Sequence, residues 1–374
     1  VTGALAGLRV LDLTRLLPGP FCTLLLADFG ADVVKVEDLG AGDYLRASAA
    51  AFASLNRGKR SLRVDLKRAD GRAALLRLAR AADVLVESFR PGVMERLGVG
   101  WPQLREACPR LIYCALSGYG QTGPLRDRAG HDLNYLARSG LLALSGEADG
   151  PPALAAGQIA DLGGGALTAA FGIMAALRER EASGRGQLVD VALADGALAW
   201  LTMPAATLLG EGVPQRRGAQ RLGGGVVCYR PYRCADGWVA LAALEPKFWA
   251  AFCAGAGCEE LLERQLDAPG SPAHARLEAL FLTRTRAEWE AFNGEHDCCL
   301  EPVLELAEAL ADEHLRSRGM VLDAALGSPV KLSRTPARVD GAAPAPGEHT
   351  DALLAEAGYD AAEIAALRAA GAVA

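Results

Sequence analysis

The chain has 374 residues, 51% hydrophobic and 22% charged, a balance that excludes disorder as the main state and leaves room for two domains. Thirty-nine lysines and arginines against 45 aspartates and glutamates give a net charge of -6, without the one-sided basic excess of a phosphate-backbone binder, so nucleic acid is not the expected partner. The longest apolar runs, such as 164–177, fall short of the ~18–20 residues a bilayer span needs, and the N-terminal residues lack a signal peptide's basic flank and apolar core; no membrane partner is expected, and the expected compartment is cytoplasmic.

Residues 8–13 read as a buried strand, Pro18-Gly19-Pro20 opens a helix running through Phe29, Gly30 falls where a left-handed C-cap belongs, and 31–37 is a second β-branched run. Strand, helix, strand at this spacing is a parallel βαβ unit. The alternation continues with strand-like 61–66, helix-spaced 68–82, strand-like 83–89, a helical stretch at 102–107 and strand-like 111–116. Four or five such units predict an α/β fold with an open, doubly wound parallel sheet whose ligands sit at the carboxyl ends of the strands. A long helix over 161–182 precedes a strand at 187–191 and a second helix over 193–209, and the Gly- and Arg-rich stretch 210–225 reads as a linker. Beyond it, 229–234 and 238–242 flank Ala235-Asp236-Gly237, a hairpin signal that begins a smaller α+β unit. The Ala-Pro-rich 342–347 is a loop, and 352–370 holds one or two closing helices.

Nine cysteines without a C-x-x-C pair predict free thiols, and His296-Asp297-Cys298-Cys299 has no further ligands at metal-binding spacing, so no metal is expected. Gly118-Tyr119-Gly120-Gln121-Thr122-Gly123 is formally a dinucleotide fingerprint, but Pro124 and a charged run replace the helix that would meet a pyrophosphate. Three segments carry more chemistry. Gly130-His131-Asp132-Leu133-Asn134-Tyr135 places the one histidine of the first 270 residues at a helix start. Asp161 begins a helix beside Gly163, Gly164 and Gly165; N-capping explains the carboxylate, whereas three glycines in a first turn cost roughly 1 kcal/mol each relative to alanine and suggest close approach of a ligand, or of a packed helix, to the backbone. Glu245 ends a strand, with Pro246 opening a helix. Trp200, Met203, Phe248 and Trp249 are apolar candidates for a substrate pocket, with core packing as the alternative.

Leu11-Asp12-Leu13-Thr14 with Pro18-Gly19-Pro20, the 30–37 strand, 56–61, Val64-Asp65-Leu66-Lys67, Phe89-Arg90-Pro91-Gly92, Ser117-Gly118-Tyr119-Gly120, Ala160-Asp161-Leu162 and Gly347-Glu348-His349-Thr350 together resemble the class III CoA-transferase family of the CaiB/BaiF type, over essentially the whole chain. The resemblance implies an interlocked, ring-like homodimer with acyl-CoA as ligand and no cofactor beyond CoA itself. It divides the chain into 1–209, the N-terminal part of a Rossmann-like large domain; 210–228, a linker; 229–316, a small α+β domain; and 317–374, a return linker and the C-terminal part of the large domain. Transferases of the family use the aspartate matching Asp161 as a nucleophile that carries acyl and CoA intermediates. The α-methylacyl-CoA racemase branch uses that aspartate and a histidine in a Gly-His-Asp-x-Asn-Tyr segment, here His131, as two bases, supported by a glutamate matching Glu245. Inversion at a carbon acid needs one group to take the α-proton from one face and another to return a proton on the opposite face, a task suited to an unlike pair. The enolate also needs hydrogen-bond donors, expected from the amides of 161–164.

By the same resemblance CoA lies near Leu17, Pro18, the backbone of Val64, Asp65, Leu66 and Lys67, Ser88, Phe89, Arg90 and Arg96, with Lys59, Arg60, Arg90 or Arg96 as the alternative phosphate contacts. Two departures stand out. Gly157 occupies the position where racemases place an asparagine, which is closer to transferase wording, and Asp38 stands where relatives often place a phosphate-binding arginine.

Overall fold

The computed structural model describes residues 3–374. Among them, six strands run parallel in one sheet: β1 (Arg9–Leu13), β2 (Asp32–Glu37), β3 (Arg60–Arg63), β4 (Val84–Glu87), β5 (Ile112–Ser117) and β6 (Leu188–Ala192). They lie side by side in the order β3-β2-β1-β4-β5-β6. Helices cover both faces, which is why the central strands read as continuous apolar runs: Val10, Leu11, Val34, Val84, Leu85 and Ile112 are fully buried. The order reverses between β1 and β4, so the crevice of a doubly wound sheet opens there, at the carboxyl ends of the strands.

The chain forms two compact units, one of Val1–Ser139, Gly157–Trp200 and Arg316–Ala374, the other of Gly140–Ala156 and Leu201–Leu315. Residues 140–156 and 201–209, expected inside the large domain, fall in the second unit. The single helix expected over 193–209 is two, Leu193–Ala199 and Thr202–Glu211. Pro204, third in the later helix, has no N–H for the Trp200 carbonyl, so the ladder cannot continue through it. The later helix also runs into the stretch expected to be linker.

In the first unit the closing helices Thr350–Glu356 and Ala361–Ala369 bring Leu353 and Leu354 into the core, and Val373 bridges Val64, so the edge beyond β3 is covered. The helical run Ile159–Ser183 is long and apolar enough, by length and composition, to cross a membrane, which the shorter runs counted in the sequence did not suggest. One side of it, with Ala160, Gly164, Ala169 and Ile173, is buried in this unit.

The second unit holds an antiparallel sheet, β7 (Tyr229–Arg233), β8 (Trp238–Ala242) and β9 (Leu300–Pro302), in that order, with the expected hairpin at 235–237. β9 has three residues, too few for a periodic signal. Its core is aromatic: Phe252, Phe281, Trp289 and Phe292 stack around one another beside Trp249. Trp249 is fully buried there, so it is a core residue and not a pocket wall. All nine cysteines are free thiols.

Candidate active site

Within the first unit, the ends of β1, β4 and β5 surround a cavity of about 890 Å³, in the range of a ligand site. Residues 15–18 leave β1, 88–91 leave β4 and 116–118 leave β5 to form its walls, and His131 and Asp161 face it from the segments that follow. Of the residues expected to meet CoA, Leu17, Pro18, Ser88, Phe89 and Arg90 line this cavity.

The others do not, each for a physical reason. Lys59 is sealed between the sheet and the helix Pro18–Asp28, where its Nζ donates to Asp12 Oδ2 (3.0 Å), Thr23 Oγ1 (2.8 Å), Asn56 Oδ1 (2.9 Å) and the Pro20 carbonyl (3.0 Å). Burial pushes the Asp12 carboxyl up, but Lys35 and Lys59 with the Thr14 and Thr23 hydroxyls outweigh it and hold Asp12 well below the usual carboxylate range. Arg60 opens β3 at the amino end of the sheet, opposite the cavity, and is committed to Asp32 (2.6 Å) and Glu356 (2.6 Å). Val64, Asp65, Leu66 and Lys67 leave β3 two strands away from the crevice; the Asp65 amide donates to Ala372 (2.9 Å) and the Lys67 amide to Asp65 Oδ1 (2.9 Å). Arg96 ends the short helix Val93–Arg96 outside the cavity wall.

Sequence reasoning missed three cationic wall residues, Arg15, Arg126 and Arg128. Arg15 is the informative one. Its guanidinium pairs with Asp38 and lies 5.6 Å and 5.5 Å from the centroids of the Tyr44 and Phe89 rings. The acidic residue at 38 therefore does not leave the site without a cation; it holds one in place. Leu16 beside it has φ +64°, rare for a branched side chain, and its amide donates to Asp43 Oδ1 (3.0 Å), whose carboxylate also pairs with the buried Lys35 (2.9 Å). That pair fixes the turn on which the 15–18 wall is built.

His131 precedes the helix Asp132–Ser139. Its amide donates to Asn134 Oδ1 (3.0 Å), and the Tyr135 hydroxyl donates to the Gly130 carbonyl (2.6 Å) from a buried position edge-on to Tyr119. A Cβ on Gly118 or Gly130 would come within 2.5 Å and 2.7 Å of Tyr135, so these two glycines make room for the anchor of the histidine loop. In the Gly118–Gly123 run no helix follows until Asp132, which agrees with rejecting the dinucleotide reading.

Asp161 lies in the first turn of a π-helical stretch, Ile159–Leu167, that runs into the helix Thr168–Ser183. Its amide donates to Asp132 Oδ1 (2.9 Å), and the Leu162 amide to the Gln158 carbonyl (2.9 Å), so neither is available to an enolate as the sequence suggested. The glycine triplet has a packing cause instead. A Cβ on Gly164 would sit 2.8 Å from the Ala197 amide nitrogen, one on Gly196 would sit 1.9 Å from the Gly164 carbonyl oxygen, and one on Gly163 would meet Trp200 at 2.5 Å. The glycines let the helix Leu193–Ala199 approach, and that packing seats Asp161. Burial raises the Asp161 carboxyl to about 6, Asp132 adds to the rise, and His131 opposes it.

Glu245 belongs to the second unit, exposed at the N-cap of the helix Pro246–Ala256, just after β8.

A doubly wound sheet with His131, Asp161 and several arginines around the cavity at its switch point is a site suited to an anionic ligand, and comparison with known proteins specifies the class. Residues 5–350 match the model of CoA-transferase family III. Alpha-methylacyl-CoA racemase of Mus musculus is 42% identical over 96% of this chain and 95% of its own length. Succinyl-CoA:mesaconate CoA-transferase of Haloarcula hispanica is 36% identical over 95% of this chain and 97% of its own. The crystal structure of a CAIB/BAIF family protein from Brucella suis superposes with a TM-score of 0.84 at 30% identity, covering 96% of this chain and all of that one. The chain belongs to CoA-transferase family III.

Proposed function

We propose that this chain is an acyl-CoA racemase or epimerase that inverts the α-carbon of 2-methyl (α-branched) acyl-CoA thioesters by two-base 1,1-proton transfer. The observation that carries the reading is that His131 and Asp161 face one cavity and that the charge of His131 acts on the Asp161 carboxyl. In one direction the Asp161 carboxylate takes the α-proton and protonated His131 returns one on the opposite face; in the other the roles exchange. The thioester enolate between the two steps needs donors at its oxygen. With the Asp161 and Leu162 amides engaged, the donors nearest His131 are the Asp132 and Leu133 amides in the first turn of the helix Asp132–Ser139. Arg15 and Arg90 suit the phosphates of CoA, and no cofactor beyond that CoA is needed. The same reading takes the working unit to be an interlocked homodimer in which Glu245 of a second copy orients His131.

The second reading, a CoA-transferase moving CoA between carboxylic acids with Asp161 as nucleophile, draws on the transferase relatives at 36% identity and on Gly157. A single-enantiomer 2-methylacyl-CoA incubated in heavy water without free acid separates the two. Racemization gives α-deuterium and loss of optical purity, both abolished by His131→Ala. Absence of exchange over a panel of chain lengths, with CoA transfer to an added acid and an adduct on Asp161, replaces this proposal by the second reading.

A further inference from the structure

Asp132 stands next to His131 in the chain, and its Oδ1 accepts the amide of Asp161, 29 residues away (2.9 Å). The other bonds of the segment are local: Asn134 closes the His131 turn, and Tyr135 pins Gly130. The Asp132 bond is the one that joins the two halves of the acid–base pair, because a single residue carries the backbone of His131 on one side and holds the backbone of Asp161 on the other. From the opposite side, the helix Leu193–Ala199 meets the Asp161 turn through Gly196 and Ala197, which offer no charge.

We propose that Asp132 is a positioning residue, whose carboxylate ties the start of the Asp161 turn to the His131 loop and so sets how the two proton-transfer groups face one another across the cavity. A misplacement of about 1 Å in such a pair costs on the order of a hundredfold in rate, so one partly buried bond at this junction has leverage that a fully exposed bond lacks. The negative charge has a second consequence. Asp161 is acted on by His131 and Asp132, while Tyr135 on its flank is influenced by Asp161, Arg90 and Tyr119. With Asp132 in place, Asp161 binds its proton more readily, which the half-reaction that returns a proton from Asp161 requires.

Two variants separate tether from charge. Asp132→Asn keeps an acceptor oxygen and removes the charge; Asp132→Ala removes both. The first readout is carbon-13 NMR of labelled aspartate carboxyls across pH, with the Asp161 signal assigned by Asp161→Asn, and it does not depend on what reaction is catalysed. Asp132→Asn should move the Asp161 midpoint down by about half a unit or more, the direction expected when a like charge is removed. The second readout is α-deuterium exchange and rests on the racemase reading: Asp132→Ala should lose about tenfold or more in kcat with KM within about threefold, and Asp132→Asn should recover most of that loss. An unmoved Asp161 midpoint in Asp132→Asn, or exchange by a folded Asp132→Ala within about twofold of wild type, overturns the inference. If the wild-type chain shows no exchange at all, the racemase reading fails by itself, and the NMR titration still decides whether Asp132 governs Asp161.

Discussion

The most demanding test of the acid–base pair is its pH profile. A two-base enzyme works in the state that holds one proton between Asp161 and His131, on the histidine for one direction and on the aspartate for the other. Both directions therefore need the same total protonation, and because the equilibrium between the two thioesters does not depend on pH, kcat/KM for the two enantiomers must follow one and the same bell-shaped curve. The carboxyl of Asp161 titrates at about 6, against an ordinary 3.8. At pH 5 an Asp161 with that midpoint is ionised in about a tenth of molecules, whereas an ordinary carboxyl would be ionised in more than about nine tenths. Lowering the pH from 7 to 5 should thus cut kcat/KM about fivefold to tenfold for both enantiomers, with a limb that approaches tenfold per pH unit below that. The same shift makes the form with the proton on Asp161 about a hundredfold more populated than an ordinary aspartate would allow, which is the form that the second direction consumes. Initial rates from each pure enantiomer, followed by chiral separation at constant ionic strength, give the curve. Retention of most of the kcat/KM at pH 5 would refute the assignment of Asp161 as one of the two bases, while coincidence of the two profiles checks the rate measurements themselves.

Three further outcomes follow from the surroundings of the site. Lys59→Met removes a cation from the fully buried Asp12 and should cost about 3–5 kcal/mol in chemical denaturation, with any effect on KM secondary to folding. Arg15→Ala should raise KM for an acyl-CoA about tenfold while sparing kcat, and Asp38→Asn, which frees the guanidinium, should raise it less; an unchanged KM in Arg15→Ala would remove Arg15 from the binding wall. Gly196→Ala places a methyl group into the Gly164 carbonyl and should lower stability by about 1–3 kcal/mol with a loss of turnover, read by thermal unfolding and by the deuterium assay.

The parallel sheet was legible because burial on both faces writes itself as runs of Val, Leu and Ile separated by helix-spaced segments, and because Pro18-Gly19-Pro20 and Gly30 punctuate the first unit in the expected way. The strand order was legible only as a class: 31–37 and 83–89 look alike, and nothing local says that they flank β1 on opposite sides. The break at Trp200 was written in Pro204, but an apolar pattern that continues through it hides the interruption. β9 and the return of 140–156 to the second unit depend on contacts between residues far apart in sequence, which no local pattern carries.

Site residues follow the same division, but with a twist in how a charge is read. His131 and Asp161 stood out because a histidine or an aspartate beside glycines at a helix start is unusual chemistry in an otherwise apolar stretch. Lys59 and Arg60 are offered by the sequence, with Arg90 and Arg96, as phosphate contacts in place of the arginine that Asp38 replaces, yet Lys59 is a core cation balancing Asp12 and Arg60 an amino-edge cation balancing Asp32 and Glu356. What decides is the partner's position along its own strand. Asp12 lies inside β1 and Asp32 at the start of β2, so cations paired to them are drawn into the sheet or to its amino end, whereas Arg15 lies past the end of β1 and Asp38 past the end of β2, on the cavity side. In a parallel sheet an acidic residue just beyond a strand's carboxyl end is therefore better read as the holder of a neighbouring cation than as the loss of one, and the glycines beside a candidate nucleophile as room for the helix that seats it before room for its substrate.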